Sequence, residues 1–346
     1  GRYSSSQGGI SFFGGSTNNS TTFNGVNSKS SSGHGGLSNL GLVFANDVSQ
    51  NGNGFIFNQV GIGYNQIESF KNKTTYEGQQ FSSLIDDFVG QIQGYYPEEL
   101  NTYFPFSSDL AYQTDIIEYN TITSEFYSLL NSGDVYHQRT IESKGGVNEV
   151  YANFSANYLN KLYIGANLSV RSYRYIEDIT HLEELTDTTG TNLRSFEYDY
   201  YLKTKGSGGN LKIGVIYLVN ESIRFGLALH SPTFSEMTDT WSASLSSTFE
   251  TYTKTINDSL IPTGDYKYKV RTPGRIIGSV AFVFGTKGCI NIDAEYLSYK
   301  HGHFKSTSDL KYAPYNYEYE NNYAKQVFQD AINIRLGGEY VVFPGF

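Results

Sequence analysis

Leu162-Tyr163-Ile164-Gly165-Ala166-Asn167-Leu168-Ser169-Val170-Arg171-Ser172-Tyr173 alternates residue by residue. In an extended chain successive side chains point to opposite faces. Leu162, Ile164, Ala166, Leu168 and Val170 then share one face, and Tyr163, Asn167, Ser169, Arg171 and Tyr173 share the other. One face suits hydrocarbon and the other suits water. A soluble sandwich gives this pattern with the apolar face inward. A transmembrane barrel gives it with the apolar face outward and a wet lumen. The choice between the two decides the function.

The same alternation recurs along the chain. Leu40, Leu42 and Phe44 share a face, as do Ile56, Val60, Ile62 and Tyr64 opposite Gln59, Gly61, Gly63 and Asn65. Val150, Ala152, Phe154 and Ala156 oppose Glu149, Tyr151, Asn153 and Ser155. Leu211, Ile213, Val215 and Tyr217 oppose Asn210, Lys212 and Gly214. Ile290, Ile292, Ala294 and Tyr296 oppose Asn291, Asp293 and Glu295, and Ile332, Ile334, Leu336 and Tyr340 oppose Asn333, Arg335 and Glu339. The tally is about 10 strands, with short turns alternating with long loops, as in outer-membrane barrels.

Composition favours the barrel. Apolar residues are 38% of the 346, low for a soluble chain of this length, while aromatics reach 16% with 30 Tyr and 23 Phe. A barrel needs only an outward apolar band flanked by aromatic girdles. The polar faces carry many Gly, Ser and Asn, which fit a filled or narrow interior. No run of about 20 apolar residues is present, so no transmembrane helix is expected. A net charge of -9 argues against nucleic acid as a partner. The single cysteine, Cys289, excludes a disulfide framework and a cysteine-ligated metal cluster.

Three segments depart from the strand pattern. Gly1 to Lys29 is rich in Gly, Ser, Asn and Thr, with a strand-like core at Ile10 to Phe13. Lys71 to His137 is long and irregular, and reads as an extracellular loop insertion. Inside it Leu84, Ile85, Phe88, Val89 and Ile92 form one helical stripe over Ser82 to Gln93, with Ser82 as the expected cap. Gly206, Gly208 and Gly209 predict a bulge or kink, and Pro232 and Pro273 predict interruptions of their strands.

Longer stretches resemble a known family. Gly264 to Arg275 (GDYKYKVRTPGR), followed by a strand, a tight turn and Asp293-Ala294-Glu295-Tyr296, resembles the FadL/TodX family. So do Gly226-Leu227-Ala228-Leu229-His230-Ser231-Pro232-Thr233 and Ile334-Arg335-Leu336-Gly337-Gly338-Glu339-Tyr340. The resemblance covers nearly the whole chain and implies an outer-membrane transporter of long-chain fatty acids or hydrocarbons, working by passive diffusion. It also implies a 14-stranded antiparallel barrel with an N-terminal hatch. On this reading Gly1-Arg2-Tyr3 follows a missing hatch, the last four strands are missing, and Phe346, after Pro344, is a truncation point.

Such a transporter needs a lumen cation for a carboxylate and an apolar catch site. The expected lumen residues are Arg171, Lys212, Arg224, His230 and Arg335. The plain alternative is that each cation pairs with Glu149, Asp293, Glu295 or Glu339 and only fills the barrel. Leu84, Phe88 and Ile92 are the expected external apolar site, or else part of a small loop core. Gly206, Gly208 and Gly209 are the expected gate, or else an ordinary bulge. The partners expected are a hydrophobic small molecule and outer-membrane lipid. No cofactor, metal site or enzymatic activity is expected: no Gly-x-Ser-x-Gly elbow and no helical His pair occur, and the acidic loop Glu177 to Asp187 lacks EF-hand order. The competing function is a docking barrel holding another outer-membrane protein, with a general porin third.

Overall fold

The computed structural model describes residues 5–52, 54–130, 135–186, 188, 191–309, 311 and 314–342. Gly1, Arg2, Tyr3, Asp187, Pro344 and Phe346 lie outside the described residues. The chain is mostly antiparallel β-sheet. Strands β1 (Gln7–Phe23), β2 (Val26–Asp47), β3 (Phe55–Ser69) and β4 (Asn72–Gln80) come first. A helical segment follows, with α1 (Leu84–Ile92), α2 (Leu100–Tyr103) and α3 (Ser108–Gln113), and then a small hairpin, β5 (Ile117–Asn120) and β6 (Glu125–Ser128). Three long strands form the middle of the wall: β7 (Val135–Tyr158), β8 (Leu162–Leu185) and β9 (Leu193–Leu218). After them come β10 (Ile223–His230), β11 (Phe234–Phe249), β12 (Thr253–Thr255), β13 (Thr263–Arg271), β14 (Arg275–Val283), β15 (Gly288–Ser298) and β16 (His303–Ser306). Helix α4 (Glu318–Val327) and β17 (Asp330–Tyr340) complete the order.

One 15-stranded sheet holds all but β5 and β6, and its main path runs β1-β2-β3-β7-β8-β9-β10-β14-β15-β17. Short turns join strands at one end of this wall, as at residues 159–161, 219–222 and 284–287, and the long connections gather at the other end. Among the described residues β1 and β17 are not paired with each other.

Burial answers which face is wet. On β8, Leu168 and Val170 are 63% and 57% exposed, while Ser169 between them is 1% exposed. On β7, Val150 is 61% exposed and its neighbour Glu149 only 2%. The apolar face therefore points away from the protein and the polar face is covered by it, the reverse of a soluble sandwich and the arrangement of a transmembrane barrel. The exposed set continues through Phe12, Phe44, Ile213, Leu227, Ile276 and Ile292. Among the described residues no helix is long and apolar enough to cross a membrane.

The first hairpin is longer than its sequence pattern implied. β1 and β2 pair without a gap from Gln7↔Val43 to Phe23↔Val26, with one register shift at Ser11/Phe12. From Gln7 on, the segment Gly1 to Lys29, expected to depart from the strand pattern outside Ile10 to Phe13, is ladder except at its turn. Its turn is Asn24-Gly25, with both residues at positive φ (45° and 83°), the geometry of a two-residue hairpin turn. Nothing lies within 4 Å of a Cβ added at Gly25, so Gly25→Val acts through backbone strain alone. We expect it to cost about 1–2 kcal/mol, read as an earlier unfolding midpoint in urea with the slope unchanged.

Two further expectations change. Residues 72–80 are strand, paired with β7 from Asn72↔Ser143 to Gln80↔Val135. The cap of α1 is Ser83, not Ser82: its hydroxyl accepts from Ile85 N–H while the Asp86 side chain accepts from Ser83 N–H, a capping box.

An apolar core sits at the loop end. Ile85, Phe88 and Ile92 of α1, with Leu100, Leu110, Ile116 and Phe126, pack on Leu193, Phe196, Ala243, Leu245 and Phe249 of β9 and β11. Strict alternation along β9 puts Phe196 on the same face as Lys212, so this helical cap rests on the lumen side of the wall.

Candidate functional site in the barrel lumen

Alternation carries charged or ionisable side chains from seven strands to one lumen face. Glu149 lies directly opposite Arg171 across the β7–β8 ladder. Lys212 is paired with His230 across β9–β10, and His230 with Arg275 across β10–β14. Glu295 and Arg335 follow on β15 and β17.

The charges fall into two clusters, each a buried carboxylate between two cations. Arg171 Nε donates to Glu149 Oε2 at 3.0 Å and Lys212 Nζ to Glu149 Oε1 at 2.6 Å. Arg275 Nη1 donates to Glu295 Oε1 at 2.8 Å and Arg335 Nη2 to Glu295 Oε2 at 2.5 Å. Both carboxylates are 2% exposed. Arg224, nearer the turn end, has a buried Nε with no hydrogen-bond partner. Asp293 lies on the same face, register partner of Arg335. Arg171, Lys212, Arg224, Arg275 and Arg335 thus outnumber Glu149, Asp293, Glu295 and Glu339, in a chain whose overall charge is -9. A cavity of about 360 Å³ beside them is lined by Gln59, Asn153, Asn167, Lys212 and His230 among others.

Sequence reading named Arg171, Lys212, Arg224, His230 and Arg335, and the structure brings them to one face. It missed Arg275. The signal was available: Pro273 ends the preceding strand, so Arg275 opens the next one on the face set by Ser279 and Ala281.

The wall beside this belt is interrupted at one level in three neighbouring strands. β10 gives way to β11 at 231–233, β13 to β14 at 272–274, and β15 to β16 at 299–302. Pro232 and Pro273 stand at the first two, where a residue without an N–H cannot extend a ladder. Side chains stitch the gap. Thr233 N–H donates to Thr272 Oγ1 at 3.0 Å, Leu211 N–H to Ser231 Oγ at 2.9 Å, and Asn210 Nδ2 to Thr233 Oγ1 at 3.0 Å.

Gly206, Gly208 and Gly209 lie on β9 next to this line, inside a run of pairs from Phe234↔Gly209 to Thr248↔Ser195 without a register shift. β9 is continuous there, so the expected kink is replaced by close approach of β11. A Cβ on Gly208 would come within 2.1 Å of Ser235 Oγ and 2.7 Å of Phe234 O, and one on Gly206 within 2.6 Å of Glu236 O. Gly209 has room.

Leu84, Phe88 and Ile92 are placed differently from the expectation of an external apolar surface. Phe88 is 6% and Ile92 0% exposed, both inside the cap core, and Leu84 packs partly buried against it. Phe88 meets the Tyr198 ring edge-on at 5.7 Å. The stripe serves to dock α1 on β9, because a helix this short is held by packing of its apolar face.

No protein-family model matches the chain, and no curated protein matches it. A solved structure does. The crystal structure of the Pseudomonas putida toluene transporter TodX aligns over 98% of this chain and 70% of that one, at 13% identity and a TM-score of 0.41.

Proposed function

We propose that this protein is an outer-membrane barrel that passes hydrophobic compounds carrying an acidic or polar end, as its resemblance to the FadL/TodX family implies. The observation that carries the reading is the lumen belt: cations in excess of carboxylates inside a wall whose outer face is apolar. An apolar acid leaving water needs a cation for its headgroup, and charge-assisted hydrogen bonds supply the hold. Arg224 and His230 are the groups for that hold, since Arg171, Lys212, Arg275 and Arg335 already grip Glu149 and Glu295. The line of breaks at Pro232 and Pro273 stands next to His230 and gives the ligand a sideways route through the wall. Transfer is passive, and long-chain fatty acids are the first substrates to test.

A second reading has one observation in its favour. Four of the lumen cations are held in ion pairs by Glu149 and Glu295, as in a barrel filled for stability that serves to dock a partner protein.

The test is mass spectrometry of lipids extracted from protein purified in a detergent unlike any fatty acid. Co-purified long-chain acids or hydrocarbons are expected, and they should fall several-fold in Arg224→Ala/His230→Ala. A preparation free of such molecules, or a yield unmoved by the double variant, would overturn the transport reading. A stoichiometric partner polypeptide in their place would support docking.

A further inference from the structure

Far from the lumen belt, three potential metal ligands meet at the loop end. His137 on β7 lies directly opposite Glu183 on β8, and His181 precedes Glu183 by two residues on the same face. His181 Nε2 is 2.8 Å from Glu183 Oε1, and His137 Nε2 is 3.5 Å from the same oxygen. One ligand atom from each of the three lies within 4.8 Å of the others. All three side chains are buried, at 7%, 4% and 0% exposure.

We propose that His137, His181 and Glu183 bind a divalent transition-metal ion of the zinc type. Four observations point there. Imidazole and carboxylate together suit zinc and its first-row neighbours, whereas calcium and magnesium take oxygen ligands. Ligand atoms around a tetrahedral zinc at about 2.0–2.1 Å stand about 3.3 Å apart, and 2.8 and 3.5 Å straddle that spacing. His137 Nε2 and His181 Nδ1 are buried without a hydrogen-bond partner, a costly arrangement that coordination by His137 Nε2 relieves on one side.

The outer groups are also set as a metal site sets them. The His137 ring hydrogen-bonds the Ser82 backbone, and since Nε2 is unpartnered the bond runs through Nδ1 and aims Nε2 at the cluster. Glu183 is fixed by two groups from α1: Ser83 Oγ donates to Oε2 at 2.5 Å and Leu84 N–H to Oε1 at 2.8 Å. An ion here would join β7, β8 and the first turn of α1, and so pin the helical cap to the wall. The fourth position is left for water. The outward residues near this level, Thr140 and Glu142, are polar, so the site stands beyond the apolar band.

The experiment uses untagged, folded protein in detergent, stripped with chelator and titrated with ZnCl2 by calorimetry and with CoCl2 by visible absorption. We expect one equivalent bound with micromolar or tighter affinity, and cobalt bands of a four-coordinate nitrogen–oxygen site. His137→Ala and His181→Ala should each weaken binding at least tenfold while keeping the heat-modifiable gel mobility of a folded barrel. Glu183 is left intact because it also holds α1. If His137→Ala does not fold, His137→Asn replaces it, since its amide keeps a donor near the place of Nδ1 and offers no Nε2. Zinc should in addition slow protease cleavage in the segment after α1 in the parent protein and not in the variants. Absence of stoichiometric zinc, or binding and protection unchanged by the histidine variants, would overturn the proposal. Binding lost in His303→Ala and kept in both His137→Ala and His181→Ala would place the metal elsewhere and overturn the proposal.

Discussion

Leu168→Arg should cost about 2–4 kcal/mol of barrel stability, read as a lower urea midpoint for protein folded into lipid vesicles. Leu168 stands at the middle of the exposed apolar run on β8 and is 63% exposed. Its partners on both sides, Ala152 and Leu211, face the same way. On a soluble protein, a charge at such a position is within about 0.5 kcal/mol of neutral, because water solvates it. In hydrocarbon the guanidinium has no solvent and the penalty depends on depth. Ser172→Arg tests the depth, since Ser172 points outward at the edge of the band, beside Arg174 on the same face. It should cost about 0–1 kcal/mol. A flat profile across the two sites would mean that the exposed apolar face meets water, and the barrel assignment would fall with it.

That outward face was the most legible part of the sequence. Period-2 alternation survives in every strand of the main path that carries an apolar face, and Pro232 and Pro273 mark real breaks. What escaped is instructive. Gly14 to Gly36 has Gly, Ser, Thr and Asn on both faces, so no alternation betrays the ladder it forms. The backbone pairs there regardless, and the local signal for the hairpin is confined to the Asn24-Gly25 dipeptide. The same blindness applied to Asn72–Gln80.

The candidate site was half legible. Which residues face the lumen follows from parity along each strand. Which of them pair does not, because that depends on register between strands far apart in sequence. Arg171 and Lys212 both reaching Glu149 is a three-strand fact. His137 and Glu183 likewise meet only because β7 and β8 form one unbroken hairpin, with the shift-free register that Tyr158 and Leu162 begin. The local signal, His181-x-Glu183 at strand spacing, is present but weak by itself.

Glu149→Ala should destabilise the barrel by about 3–5 kcal/mol, the second large effect, because it strips one carboxylate from two cations at once. Glu149 is 2% exposed, whereas Arg171 and Lys212 keep 19% and 23% side-chain exposure. The remaining cations can reach little water and repel each other. In a wide, water-filled pore the same change would cost under about 1 kcal/mol, since exposed pairs contribute little and water would take the carboxylate's place. The urea midpoint of the variant therefore reports how dry the lumen is. A triple variant separates the charge from its packing. Glu149→Leu with Arg171→Met and Lys212→Met removes all three charges and should recover most of the loss, as buried ion clusters commonly do when replaced by apolar side chains. The triple variant also bears on function. If it folds and still carries hydrophobic acids, the hold lies with Arg224 and His230 and the Glu149 cluster serves the wall. If it folds and carries none, the excess positive charge of that cluster is what the ligand's headgroup meets.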